Sequence, residues 1–98
     1  MKINKEQNGQ TLTVTVDGRI DTLTSPKLEA ELKSSLEGIT ELIFDFTKVD
    51  YVSSAGLRVL LNAQKTMDTK GEMVITGCSE DLIDVFEITG FADILTIK

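Results

Sequence analysis

The chain has 98 residues, with 10 Lys and Arg against 16 Asp and Glu, a formal net charge of −6, one cysteine and no histidine. That length supports one core and one domain over residues 1–98 rather than two, and the 41% apolar content is that of an ordinary folded chain. Acidic residues spread along the sequence argue against direct nucleic-acid binding, which needs clustered Lys and Arg. No apolar run reaches the roughly 20 residues of a membrane helix, and no signal-peptide pattern is present. A cytoplasmic protein without membrane insertion is therefore expected. Without histidine there is no Ser-His-Asp triad, Cys-His pair or imidazole metal site. Cys78 alone cannot make an internal disulfide or a thiolate metal site and reads as a packing residue. With one Tyr and no Trp there is little wall for a substrate pocket. No enzyme, catalytic residue, metal or cofactor is expected.

In chain order, residues 1–7 are polar and weakly alternating, which fits an edge strand. Asn8-Gly9 signals a hairpin turn. Residues 11–16 alternate cleanly, with Leu12, Val14 and Val16 on one face and three threonines on the other. That is a half-buried strand, with one sheet face less covered at this edge. Residues 17–21 read as a loop leaving the strand's carboxyl end. Ser25-Pro26 reads as N-cap and first residue of a helix with a Leu28, Leu32, Leu36 core stripe, and Gly38 as its stop.

Residues 41–46 form a short apolar block that reads as a fully buried strand. The residues 50–61 that follow are the stretch the chain is arranged to present. Leu57, Leu60, Leu61, Ala63, Gln64 and Met67 share one stripe of a helix, with Arg58, Asn62, Lys65 and Thr69 opposite. Ser53 and Ser54 thus stand where a strand has ended and a helix begins. A hydroxyl there can cap an unpaired N–H, and the same free donors favour an anion such as phosphate. Position alone leaves both readings open, a plain cap and a regulated phosphoacceptor.

The helix is expected to run to about Lys70 and stop at Gly71. A strand over 72–76 follows, then a Ser79-capped helix with Leu82, Ile83, Val85 and Phe86, a stop at Gly90, and a short final strand over 94–97. The order β-β-α-β-α-β-α-β implies an α/β fold, a mixed sheet with parallel central strands and crossover helices. Loops at the carboxyl ends of such strands converge on one surface. Asp21 and Ser54 should therefore be near neighbours, with Asp50 either joining them or capping its own turn.

Residues 18–21 (Gly-Arg-Ile-Asp), 49–61, 71–74 (Gly-Glu-Met-Val) and the closing Gly90-Phe91 resemble the STAS-domain anti-sigma-factor antagonists of bacteria over essentially the whole chain. The family's phosphorylated serine lies two residues before the signature glycine, which is Ser54 here. Departures are Ser53 in place of an aspartate, Ala55 in place of a second serine, and Arg19 in place of an acidic residue. The resemblance implies a partner-switching module. Unphosphorylated, it binds an anti-sigma factor that is also a serine protein kinase and so frees the sigma factor; phosphorylated, it lets go, and a serine phosphatase resets it. Asp21, Ser53, Ser54, Gly56, Arg58 and Asn62, with Lys65, are the expected partner-binding residues.

One rival is a STAS scaffold or binding subunit of a transport or signalling complex, without phosphoregulation. Another is a phosphoaspartate receiver built on Asp45 at a strand end. That second rival lacks the paired acids that would hold Mg²⁺, since Asp17 and Asp21 are too far apart.

Overall fold

A computed structural model describes all residues, 1–98. Strand β1 (Lys2–Asn8) turns at Gly9, whose φ of 63° is left-handed, into β2 (Thr11–Ile20). Helix α1 (Ser25–Lys33), β3 (Glu41–Val52), α2 (Ser54–Asp68), β4 (Glu72–Thr76) and α3 (Glu80–Ile88) follow, then a 3-10 turn over Phe91–Asp93. The sheet order is β1-β2-β3-β4, with β1 antiparallel to β2 and the remaining pairs parallel.

Because β2, β3 and β4 step across the sheet in one direction, right-handed crossovers place α1 and α2 on the same face. Burial agrees. Leu12, Val14, Val16, Leu42, Phe44, Phe46, Met73 and Ile75 are buried on the helix side. Thr11, Thr13, Thr15, Ile43, Asp45, Val74 and Thr76 on the other side are not. Residues 41–46 are thus buried on one face only, and Ile43, expected in the core, is half-buried because no helix covers it. Leu57, Leu60 and Leu82 are core as expected, while Leu61 is half-buried at the stripe's margin.

Several boundaries differ from the sequence reading. β2 and β3 both run further, to Ile20 and Val52, through register shifts between Thr15 and Asp17 and between Gly18 and Arg19. A bulge breaks the two-residue period; past it, β3 buries Phe46, Val49 and Val52 at intervals of three. Asp45 consequently lies within β3, not at its end, and Asp50 is an exposed strand residue.

The α1 N-cap is Thr24, with Ser25 already helical, buried, and donating its hydroxyl to Asp21 O at 2.5 Å. α2 stops at Asp68, and Gly71 serves packing: a Cβ there would sit 1.9 Å from Thr40 O. The expected final strand is a single parallel bridge, Ile75 to Ile97, because Ile94 and Leu95 donate their N–H groups back to Phe91 O to close the 3-10 turn.

Candidate functional site

The site sits at the carboxyl end of the parallel strands. Ile20 and Val52 are partners on the last rung of the β2–β3 ladder, and one step on Ser53 N donates to Ile20 O at 2.8 Å. The residues after both strands therefore leave from adjoining positions, which brings Asp21 beside the serine pair.

Ser53 is the N-cap of α2: its backbone is extended (φ −83°, ψ 173°) and its Oγ accepts from Gly56 N at 3.2 Å. That satisfies one of the orphan donors of the first turn. Ser54 is the first helical residue, is exposed, and its hydroxyl makes no side-chain hydrogen bond. The first turn of α2 holds no acidic residue, so the positive end of its dipole is uncompensated. From Ser54, the exposed residues Arg58, Asn62 and Lys65 follow at helical spacing along one outward stripe. Asn62 and Lys65 border a groove of about 640 Å³ between α1 and α2, floored by Leu32, Leu36 and Val59.

Gly56 is a correction. It is buried, and a Cβ on it would lie 2.7 Å from Ile20 Cγ2 and 3.0 Å from both Ile20 O and Val52 Cγ1. It lets α2 start hard against the strand ends and offers no surface to a partner.

Asp21, the residue after Ile20, is engaged by its own loop. Its Oδ1 accepts from the N–H groups of Leu23 and Thr24, each at 3.0 Å, while Asp21 N donates to Thr24 Oγ1 at 2.8 Å. The Thr24 N–H foremost holds its carboxyl below the ordinary value, with the Thr24 hydroxyl, Leu23 N–H and nearby Arg19 adding to the effect and partial desolvation opposing it. Its hydrogen bonds thus shape the entry to α1 and do not orient the Ser54 hydroxyl. Cys78 packs against the core, and burial raises its thiol pKa, as suits a packing residue.

Sequence reasoning missed three neighbours. Arg19 and Tyr51 are partners across β2–β3, and the guanidinium lies 4.3 Å from the Tyr51 ring centroid. Leu23 projects from the Asp21 loop almost fully into solvent. Only the bulged register aligns Arg19 with Tyr51, and nothing in a Thr-Leu-Thr run says whether the leucine is buried.

With this geometry in place, the comparisons with known proteins are specific. The STAS domain family matches residues 2–98. The anti-sigma-B factor antagonist of Listeria monocytogenes is 39% identical over 97 residues, covering 96% of this chain and 84% of that one. Among solved structures, the anti-sigma factor antagonist SpoIIAA in its unphosphorylated form matches with a TM-score of 0.78 at 15% identity, over 99% of this chain and 87% of that one. The phosphorylated form of Bacillus SpoIIAA matches with 0.77 at 16% identity, over 99% and 91%.

Proposed function

The chain belongs to the STAS domain family, and from that premise we propose that it is an anti-sigma factor antagonist switched by phosphorylation of Ser54. Its partner is an anti-sigma factor that is also a serine protein kinase. Bound to the unphosphorylated chain, that partner releases its sigma factor; once it has phosphorylated Ser54 it is released in turn, and a serine phosphatase restores the starting state. The chain contributes a surface and an acceptor hydroxyl, and the phosphoryl-transfer chemistry is the partner's.

The observation that carries this reading is the division between the two serines. Ser53 Oγ is engaged in capping, while the neighbouring Ser54 Oγ is exposed and free at the first residue of α2. A phosphate adds about −1.5 to −2 charge. At an exposed helix N-terminus a negative charge is favoured by roughly 0.3–1 kcal/mol, so the domain itself tolerates it. Under a packed partner the same charge, desolvated and unpaired, costs several kcal/mol. The switch therefore acts through the interface and not by refolding. Ser53, Ser54, Arg58 and Asn62, with Lys65, line the partner surface. Asp21 shapes its border, and Gly56 lies beneath it.

Intact-mass measurement of the protein from its native cells, with and without phosphatase, tests the proposal. A phosphate-sized difference mapping to Ser54, absent in Ser54→Ala and retained in a folded Ser53→Ala, is the expected result. No phosphate under any growth condition would favour the unphosphorylated scaffold instead, and incorporation lost only in Ser53→Ala would move the acceptor by one residue.

A further inference from the structure

We propose that Leu23 is the apolar anchor by which the chain docks its kinase partner, setting affinity from beside the acceptor serine. This rests on the reading that an anti-sigma factor kinase covers Ser54. Leu23 is 89% exposed, more than any other large apolar side chain.

Its backbone is nevertheless fixed. Leu23 N and Thr24 N both donate to Asp21 Oδ1, Thr24 Oγ1 donates to Arg19 O at 2.8 Å, and Ser25 N donates to Asp21 O at 2.8 Å. A leucine held out on a pre-ordered loop loses little beyond its own side-chain freedom when a partner buries it.

Its position commits it to one occupant. The loop leaves β2 at the rung where Ile20 O receives Ser53 N–H, so a kinase that reaches the Ser54 hydroxyl approaches strand ends that adjoin this loop. The neighbours complete a recognisable interface composition: Arg19 is stacked on Tyr51, itself 41% exposed, beside the Leu23 loop. Tyr and Arg are enriched among interface hot spots, and here that pair stands on the strands from which the Leu23 loop departs. The partner should accordingly present an apolar socket next to its phosphoryl-transfer site.

Ile88 supplies an internal control. At 86% it is as exposed as Leu23, yet it ends α3, which starts at the carboxyl end of β4 and so runs away from the serine surface. The test measures binding and ATP-dependent phosphorylation with the anti-sigma-B factor of Listeria monocytogenes as probe, for the unaltered chain, Leu23→Ala, Leu23→Asp and Ile88→Asp. Circular dichroism and melting temperature confirm that each variant is folded.

Binding should weaken at least tenfold in Leu23→Asp and by less in Leu23→Ala, and remain unchanged in Ile88→Asp. Equal binding by the unaltered chain and both Leu23 variants would overturn the anchor while leaving the antagonist reading intact. Equal losses at Leu23 and Ile88 would overturn it too, showing general stickiness. Failure of the unaltered chain to bind or be phosphorylated would bring down the antagonist reading, and the anchor with it.

Discussion

Helices α2 and α3 both begin at a serine in extended conformation, Ser53 accepting from Gly56 N and Ser79 from Leu82 N, each at 3.2 Å. Beyond the cap they diverge. The first turn of α3 carries Glu80 and Asp81, which already answer the positive end of its dipole. The first turn of α2 carries Ser54 and Ala55 and no acid. Three residues past the cap, α3 places Leu82 in the core, whereas α2 has Gly56 pressed against Ile20 and Val52. One helix start is finished, in charge and in packing. The other is seated tightly on the strand ends and left open to an added negative group. A serine cap is therefore common to both helices; the missing acid and the free second hydroxyl set α2 apart.

The largest effect that would break this contrast is at the third position. Leu82→Ala should cost about 2–5 kcal/mol in urea unfolding, the range for a buried leucine. Gly56→Ala should cost about 1–3 kcal/mol by overpacking, although alanine is the better helix former. A Gly56→Ala protein as stable as the parent would mean that α2 is not seated hard on the strands.

The caps come next. Ser53→Ala and Ser79→Ala should each cost about 0.5–2 kcal/mol, and because the two bonds match in geometry the losses should agree closely. A negligible loss at Ser53 alone would undo the division of labour between the serines. The smallest effect sharpens the charge difference. Ser54→Asp should stabilise the isolated chain by about 0.3–1 kcal/mol at low salt, fading as salt is raised; a clear destabilisation would show that the first turn of α2 does not welcome negative charge.

Much of this was legible in the sequence where one local rule governs a segment. The alternation of Leu12, Val14 and Val16, the Leu28 and Leu32 stripe and the Asn8-Gly9 turn each report a periodicity or a backbone need, and the structure follows them; Leu36 is buried too, but it lies past the end of α1 at Lys33, so Gly38 does not stop that helix. That a serine of the 53–54 pair could cap the helix was readable in the same way; the structure gives that role to Ser53. What escaped depends on distant partners. β3 continues past Phe46 through Thr47, Lys48 and Asp50 because β2 shifts register beside it, which no period within β3 announces. Gly56 is expected at the partner surface and Gly71 as a helix stop, yet they are close-approach positions against Ile20 and Thr40. The Leu23 and Thr24 donors that occupy Asp21 belong to a loop whose shape the sequence does not show.

The sheet order has a consequence for how the molecule is made. Each strand pairs with the one before it in the chain, β1 with β2, β2 with β3 and β3 with β4. As the polypeptide leaves the ribosome, every new strand finds its neighbour already present, and no early strand must wait with an open edge for a late one. Only the β1–β2 hairpin closes locally; the parallel pairings join residues such as Thr11 to Glu41 and Glu41 to Glu72, and closing those long crossovers is the slow part of folding. The last arrivals, Leu82 and Phe86 of α3 and then Leu95, must return to finish a core begun by the earlier elements. A chain halted before them would hold its serine crest in outline, on a sheet whose core is not yet closed.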